Sequence, residues 1–345
     1  MMTPKELGYY FPAEWEKHDA MWLSFPWNIE TWEDRFDKIY TAYFQFISEV
    51  SETEQVCINV ANEDVRKTVE QELAQRNLSN RNIRLFDHPT NDSWCRDHGP
   101  AFLLNRHKAS KAIVNWGYNA WGGKYPPFDD DDQIPLLIAS ERNLEVFTPG
   151  IIMEGGSIEV NGAGALLTSK SCLLNKNRNP HLNQTQIEAI LRNYYGVEQI
   201  LWVEDGIVGD DTDGHIDDTT RFVNENTLLV ATESDRTDAN YEPLRDNLQL
   251  LKKMKLDNGE SLNLVELPMP DPVIDQGLRL PASYANFYIA NGKVIVPIYS
   301  CKKDEIALDI IQNCFPDRKV IGIDSTEIIW GLGSFHCLSQ QEPSL

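Results

Sequence analysis

The strongest constraint on the fold is a pattern of strands and helices that recurs from Asp97 onward. Each unit reads as a short motif, a strand, a polar turn, a second strand, a helix and a third strand. Four units are complete. In the order strand, strand, helix, strand, their predicted segments are 101–104, 112–116, 131–142 and 144–147; 157–160, 165–168, 184–195 and 199–203; 221–223, 227–231, 240–254 and 262–267; and 285–290, 293–297, 304–313 and 319–323.

A fifth unit begins at Cys337 and runs out of chain, while the N-terminal part supplies the elements that it lacks. These are a strand at 20–25, a helix at 33–50 and a strand at 56–60. A ring whose last unit is shared between the two chain ends accounts for both halves. The sequence therefore predicts an α/β fold of five pseudo-symmetric units, closed by the termini and forming a single domain over residues 1–345.

Four reactive residues occupy matching points of this repeat, each just before the first strand of a unit. Glu154 follows Asp97 by 57 residues, and His215 follows Glu154 by 61. Cys337 follows His215 by 122 residues, which is twice 61. Because equivalent positions of a ring face one centre, we expect these four side chains to meet there.

The local sequence around the first two anchors is suited to a cationic ligand. Asp97 offers two carboxylate oxygens and nearby Trp94 offers a flat aromatic wall, both of which fit a planar cation. Glu154 is followed by the glycine pair 155–156, which lets a backbone or a ligand approach closely. In other proteins such residues also serve as ordinary turn caps and bulges.

The third anchor, His215, lies in an acidic stretch at 209–218. If His215 and Asp217 lie on one strand, their side chains share a face. A calcium loop of the EF-hand type is excluded, because the twelfth position counted from Asp210 is Arg221 rather than glutamate. A metal centre is disfavoured as well, since no second histidine stands at ligand spacing.

These residue types together indicate a reaction class. Cys337 paired with His215 suggests attack by a thiolate while the imidazole handles protons. A thiol protease needs donors for a developing oxyanion, whereas the other groups here are carboxylates, which are acceptors. Acceptors fit a guanidinium, which is planar, cationic and rich in N–H donors. Attack of the cysteine sulfur on the guanidinium carbon gives a tetrahedral adduct, and loss of ammonia leaves a thiouronium. Water then releases a urea, and no step requires a metal or an organic cofactor.

Composition limits the classes of binding partner and the cellular compartment that we expect for this chain. The chain has 53 acidic and 31 basic residues, a formal net charge of −22, which disfavours nucleic acid and anionic membranes as partners. It contains neither an apolar run of about 18 residues nor the apolar core of a secretory signal. The six cysteines form no CxxC pair, so we expect a cytoplasmic protein with reduced thiols. The five cysteines other than Cys337 are predicted to be buried small hydrophobes.

Several motifs together resemble the agmatine deiminases of the guanidine-modifying (pentein) superfamily, over nearly the whole chain. The matching segments are FPAEWE at 11–16, DSW at 92–94 with RD at 96–97, EGG at 154–156, GDDTDGH at 209–215, LPASY at 280–284, and the glycine-containing tail that ends in HC at 336–337. The resemblance implies a five-bladed α/β propeller. It also implies hydrolysis of agmatine to N-carbamoylputrescine and ammonia, on a route to putrescine.

The resemblance also implies roles for individual residues. Cys337 is the expected nucleophile and His215 the general acid and then base. Asp97 and Asp217 are expected to hold the guanidinium, with Glu154 hydrogen-bonded near the reacting centre. Two further residues are expected to bind substrate, with Trp94 lining the channel and Asp211 favouring a distal ammonium.

Other interpretations remain open at this point. Deimination of free or peptidyl arginine uses the same chemistry, and a binder of cationic guanidines without turnover is a third reading. The tail departs from the usual family pattern at Leu332 and Ser334, where a change affects the channel roof. Members of the family often form homodimers, and the resemblance leaves that assembly open here.

Overall fold

The computed structural model describes residues 2–345, and its strands form five mixed sheets that correspond to the five predicted units, besides one two-stranded hairpin. In units 1 to 4 the first two strands form an antiparallel pair, and the third strand joins the second in parallel. A helix makes the crossover that parallel pairing requires. In the order strand, strand, helix, strand, the elements are Ala101–Asn105, Ser110–Val114, Ile134–Arg142 and Glu145–Phe147 in unit 1; Ile158–Val160, Ala165–Ser169, Gln184–Tyr195 and Gln199–Val203 in unit 2; Thr220–Asn224, Thr227–Thr232, Tyr241–Leu251 and Asn263–Pro268 in unit 3; and Tyr288–Ala290, Lys293–Ile298, Lys303–Cys314 and Lys319–Asp324 in unit 4.

Unit 5 is built from both chain ends, as predicted. The C-terminal strand Ser339–Pro343 pairs antiparallel with His18–Ser24, which in turn pairs in parallel with the next strand of the N-terminal part. The last residues of the chain therefore belong to the sheet that closes the ring. The remaining elements of this unit are Phe36–Val50, Gln55–Asn59, Glu63–Gln75 and Ile83–Phe86.

Local sequence sets the ends of the helices and the faces that they bury. The side chain of Asn183 accepts a hydrogen bond from the backbone N–H of Gln186, and the Gln186 side chain accepts one from Asn183 in return. The same helix ends at Gly196, whose φ of 69° is left-handed. In unit 5, helix Phe36–Val50 buries its apolar stripe in the same core as the strands His18–Ser24 and Gln55–Asn59.

The short turns that precede the first strands pack on one another and define the centre of the ring. They are Cys95–His98, Gly155–Ser157, Ile216–Asp218 and Phe335–Leu338. His215 and Asp217 therefore belong to a turn and not to the strand on which a shared face was considered. In unit 4 the predicted strand from residue 285 starts only at Tyr288, because residues 283–287 form the corresponding turn.

One element has no counterpart in the sequence prediction. A small hairpin of strands Ile274–Asp275 and Leu278–Arg279 is inserted between units 3 and 4. Short connecting helices and 3-10 turns complete the described chain at Ile29–Trp32, Ala120–Gly123, Asp131–Gln133, Lys170–Leu173 and Ile328–Gly331.

None of the helices within residues 2–345 combines the length and the apolar character that crossing a membrane requires.

Candidate active site

A cavity of about 670 Å³ reaches the central turns, where Asp97 and Cys337 line it. Its walls are largely aromatic, and Trp94, Tyr118 and Trp121 are among them. The combination of aromatic walls with a carboxylate and a thiol matches the pocket expected for a planar cation.

The glycines of the C-terminal tail are required by close packing against the tryptophans. A Cβ on Gly333 would lie 2.5 Å from Cζ3 of Trp94 and 3.0 Å from Cβ of Cys337. A Cβ on Gly331 would lie 2.6 Å from Cη2 of Trp32, which packs against Trp94 with ring centroids 5.4 Å apart. The glycines thus allow the aromatic wall to stand directly beside the thiol.

The two positions at which the tail departs from the family pattern differ in their surroundings. Leu332 lines the cavity and has a left-handed φ of 70°. Ser334 is fully buried, and its Oγ lies 2.7 Å from Oγ of Ser325. The change at Leu332 therefore touches the space open to a substrate, whereas Ser334 serves internal packing.

Cys337 is buried, and an asparagine holds its thiol. Nδ2 of Asn286 donates to Sγ at 2.9 Å, while its Oδ1 accepts from the backbone N–H groups of His336 and Cys337 at 3.1 and 3.2 Å. Sγ also lies 3.6 Å from Oδ2 of Asp217. Burial and the carboxylates of Asp217, Asp218 and Asp97 raise the pKa of the Cys337 thiol well above its ordinary value.

Sequence reasoning did not identify Asn286, although the repeat contained a signal for it. Halving the interval between His215 and Cys337 gives Gln276, which lies at the tip of the inserted hairpin. Asn286, the equivalent residue of unit 4, comes ten positions later (286 − 276), because the inserted hairpin lengthens the chain before the turn.

Asp217 is held in place by a buried chain of hydrogen bonds. Nδ1 of His336 is hydrogen-bonded to Oδ2 of Asp217 at 2.7 Å, and Nε2 of His336 is hydrogen-bonded to Oε2 of Glu14 at 2.8 Å. Burial raises the pKa of the Asp217 carboxyl, but the hydrogen bond and charge of His336 outweigh it, so the pKa lies below its ordinary value. Its Oδ1 is buried without a hydrogen-bond partner and is free to accept from a ligand. Glu14 and His336 lie in motifs that carried the family resemblance, but no role was predicted for them.

His215 lies between two carboxylates and is completely buried. Its Nδ1 is 3.7 Å from Oδ1 of Asp97 and its Nε2 is 3.8 Å from Oε2 of Glu154, and neither nitrogen has a hydrogen-bond partner. Burial lowers the pKa of the imidazole, but Asp97, Cys172 and Glu154 outweigh it and raise that pKa well above its ordinary value. The neighbouring carboxylates therefore favour the protonated ring.

Asp97 is positioned by donors on both of its oxygens. Nε1 of Trp121 donates to Oδ2 and the backbone N–H of Gly156 donates to Oδ1, each at 2.9 Å. A Cβ on Gly156 would stand 2.6 Å from Nδ1 of His215, which explains the second glycine of the pair that follows Glu154. Burial raises the pKa of Asp97 to about 6, with His215 opposing the shift.

Glu154 is anchored by Arg178, a residue that sequence reasoning missed. Nε of Arg178 donates to Oε1 of Glu154 at 2.6 Å, and both side chains are fully buried. Burial raises the pKa of Glu154, but His215 and Arg178 outweigh it and leave that pKa below its ordinary value. Glu154 thus faces His215 as a carboxylate.

Asp211 lies at the rim of the cavity, and its charge is already paired. Oδ2 accepts from the Tyr125 hydroxyl at 2.6 Å, and Oδ1 lies 3.2 Å from Nζ of Lys124. The prediction that Asp211 faces the distal end of a substrate is therefore compatible with its place, but its carboxylate is shared with a lysine.

The prediction for the other cysteines is wrong in part. Cys301 and Cys314 are only partly buried. Cys172 is fully buried, but its Sγ faces Oε2 of Glu154 at 3.9 Å rather than an apolar core alone.

The relation of this site to known proteins follows from the comparison of whole chains. The family model of Porphyromonas-type peptidyl-arginine deiminases matches residues 10–343. The chain belongs to this family. The agmatine deiminase of Pseudomonas aeruginosa LESB58 is 34% identical over 365 residues, which cover 99% of this chain and 97% of the relative.

Solved members of the family share the fold over the full length. The agmatine deiminase of Enterococcus faecalis superposes with a TM-score of 0.93 at 31% identity, covering 100% of this chain and 98% of that one. A cysteine-to-serine variant of C. jejuni agmatine deiminase with substrate bound has a TM-score of 0.87 at 34% identity, covering 97% and 96%. The predicted family resemblance and the predicted α/β fold are confirmed, and the five sheets are consistent with the predicted five units.

Proposed function

We propose that this chain hydrolyses agmatine to N-carbamoylputrescine and ammonia through a covalent amidino adduct on Cys337. The observation that carries the proposal is the setting of Sγ, which lies at a cavity wall beside carboxylates that can only accept hydrogen bonds. Such a site is a poor oxyanion hole and a good receptor for a guanidinium.

Asp97 and Asp217 are the proposed guanidinium ligands. Oδ1 of Asp217 is buried without a partner, and Asp97 lines the cavity. Two carboxylates on opposite sides of a planar cation would fix its central carbon next to the sulfur of Cys337. A bound cation would also offset the negative charges that keep the thiol protonated, so the substrate itself promotes formation of the thiolate.

The first half of the reaction forms a C–S bond and breaks a C–N bond. The sulfur of Cys337 attacks the guanidinium carbon and gives a tetrahedral adduct. His215, protonated at rest, donates a proton to the departing amino group, which leaves as ammonia. The thiol proton of Cys337 passes to solvent, His215 is left neutral, and a thiouronium remains on the sulfur.

The second half restores the enzyme. His215, now neutral, removes a proton from water as the oxygen attacks the thiouronium carbon. The C–S bond breaks, the sulfur regains a proton, and the ureido product leaves. No step uses a metal or an organic cofactor.

The rim of the cavity favours agmatine over arginine. Lys124 is the only lysine or arginine that lines the cavity within residues 2–345, and it pairs with Asp211 and Asp213. Carboxylates of Glu30, Glu33 and Asp275 also line the cavity. Such a rim attracts the ammonium of agmatine and repels the α-carboxylate of free arginine.

A substrate panel tests the proposal. Purified protein is incubated with agmatine, free arginine and a peptide that contains arginine, and ammonia and ureido product are measured. We expect kcat/KM for agmatine to exceed that for arginine by at least about 100-fold, since about 3 kcal/mol separates a paired from a repelled end group. Product from arginine alone would make the chain an arginine deiminase, and ammonia from none of the three would indicate a binder.

The proposal also covers the cellular compartment and the oligomeric state of the protein. A net charge of −22 and six free cysteines support a cytoplasmic enzyme that binds neither nucleic acid nor membranes. A homodimer follows only from the family resemblance, and light scattering during size-exclusion chromatography measures it directly.

A further inference from the structure

A group of potential metal ligands lies behind the catalytic thiol. Among residues 2–345, the ligand atoms of Glu154, Cys172 and His215 all lie within 4.8 Å of one another, and all three side chains are buried. Oε2 of Glu154 is 3.8 Å from Nε2 of His215 and 3.9 Å from Sγ of Cys172. In a tetrahedral zinc site, bonds of about 2.0–2.3 Å place neighbouring ligand atoms roughly 3.4–3.7 Å apart. Oε2 of Glu154 is therefore spaced from each of the other two donors almost as a zinc ion needs.

An unsatisfied imidazole nitrogen points to a ligand at this place. Nε2 of His215 is buried, faces Glu154 and has no hydrogen-bond partner. A buried polar atom without a partner is costly, so a group that binds it gains correspondingly. Once His215 and Cys172 have lost their protons to an incoming ion, an imidazole lone pair, a thiolate and a carboxylate form a donor set typical of zinc and unlike the all-oxygen sets of magnesium and calcium.

The surrounding residues already provide an outer shell. Nδ1 of His215 faces Oδ1 of Asp97 at 3.7 Å, an arrangement in which the second ring nitrogen can donate to a carboxylate while the first binds a metal. Oε1 of Glu154 is fixed by Nε of Arg178 at 2.6 Å, which leaves Oε2 turned toward His215 and Cys172. Glu154 is thereby oriented before any ion arrives.

We propose that Glu154, Cys172 and His215 form an inhibitory binding site for Zn²⁺. Binding forms bonds from the ion to Oε2, Sγ and Nε2, and the protons displaced from Cys172 and His215 pass to solvent. A ligated His215 can no longer give or take the proton that deimination needs. The inhibitory effect rests on the proposed function, whereas the binding itself does not.

A second group of possible ligands supplies the control. Asp217, Asp218 and Cys337 also lie within 4.8 Å of one another, but their atoms are engaged by Asn286, and Asp217 is engaged by His336 as well. Cys337→Ser removes the thiol of this group and leaves the three proposed zinc ligands unchanged. Cys172→Ser does the reverse and preserves the side-chain shape.

The experiment compares wild-type protein with the two single variants and the double variant. Equilibrium dialysis against ZnCl₂ gives the bound zinc per chain, and Co²⁺ in place of Zn²⁺ gives a thiolate-to-metal charge-transfer band. We expect one zinc per chain in wild type and in Cys337→Ser, and binding weaker by at least about 100-fold once Cys172 is replaced. We also expect ZnCl₂ to abolish agmatine hydrolysis by wild type, EDTA to restore it, and the remaining activity of Cys172→Ser to be the same with and without zinc.

Several results would overturn the proposal. Zinc binding that is lost in Cys337→Ser and kept in Cys172→Ser would place the ion on the nucleophile. Absence of the cobalt charge-transfer band from Cys337→Ser would exclude Cys172 as a ligand even if Cys172→Ser fails to fold. If no guanidine is hydrolysed but zinc still binds through Cys172, the proposed function fails while the metal site stands.

Discussion

At the scale of single residues, the site favours the protonated thiol of Cys337, the proposed nucleophile. The pKa of Cys337 is raised by burial and by the same carboxylates that would bind a guanidinium. The thiol is therefore shielded from oxidants and electrophiles in the resting enzyme, since the thiolate is the reactive form.

Replacing the nucleophile separates binding from turnover. We expect Cys337→Ser to lower kcat by at least about 10⁴-fold and still to bind agmatine, because a serine hydroxyl keeps the shape but has no comparable nucleophilicity. Calorimetric titration with agmatine measures binding, and an ammonia assay measures turnover. Activity close to wild type would mean that another group attacks the substrate.

We expect the pKa of Asp97 to set an acidic limit to catalysis. Above about pH 6 this carboxyl is ionised and can hold the guanidinium, and below it the proton removes an acceptor, so kcat/KM should fall as the pH drops through about 6. Trp121→Phe removes a hydrogen bond that stabilises the ionised form, so the limit should move to higher pH. Tyr125→Phe alters the same cavity without touching Asp97 and is the control. An acidic limit unmoved by Trp121→Phe would assign it to another group.

At the scale of the elements, the C-terminal strand closes the ring. Strand Ser339–Pro343 pairs along His18–Ser24, and buried Glu342 accepts from Trp22, Lys111 and Arg142. Its loss leaves a buried sheet edge, leaves Nε1 of Trp22 without its acceptor and removes one acceptor each from Lys111 and Arg142.

Truncation measures what this strand contributes. Deleting residues 338–345 should lower Tm by about 10 °C or more or prevent folding, since several buried polar groups lose their partners together. Deleting only Ser344 and Leu345 leaves the strand whole and should shift Tm by about 2 °C or less. A Tm of the longer truncation equal to that of the intact chain would argue against a closed ring.

At the scale of the whole molecule, a buried ionic cluster ties the units to the N-terminal segment. Arg221 is fully buried and donates to Glu14 at 2.6 Å, to Glu159 at 3.1 Å, and to the carbonyls of Ala285 and Phe287 at 2.9 and 2.7 Å. One side chain of unit 3 thus contacts unit 2, unit 4 and the segment before unit 5.

Removing this arginine should destabilise the entire ring. We expect Arg221→Met to lower the free energy of unfolding by about 3–5 kcal/mol, because two buried carboxylates lose their cation. Arg106→Met is the matched control, since Arg106 is exposed and its bond to Glu16 lies at the surface. Urea denaturation of both variants gives the comparison, and similar losses would mean that the central cluster is not specially important.

The single domain predicted for residues 1–345 leads to a separate expectation. A ring whose first and last strands share one sheet has no part that can unfold alone without opening it. Calorimetry should therefore show one transition with equal calorimetric and van't Hoff enthalpies. Two resolved transitions would divide the chain into independent folding units.

The sequence alone determined the repeat, the closure by the termini and the class of chemistry. Strand and helix periodicities are local properties, so the elements of all five units were predicted with small shifts at their ends. The side chains of Asp97, Glu154, His215 and Cys337 stand at one point of each repeat, and ring symmetry predicts that they face one centre. In the structure His215 lies between Asp97 and Glu154, and Cys337 lines the same cavity as Asp97.

Only the tertiary structure decided how these groups are held and tuned. Glu14 and His336 are 322 residues apart in sequence and hydrogen-bond directly, and Cys172 faces Glu154 across a turn. An inserted hairpin moved Asn286 away from the place that the repeat spacing gives. Such contacts depend on where distant segments pack, which no local pattern encodes, and burial at those contacts sets the pKa values on which the proposed chemistry depends.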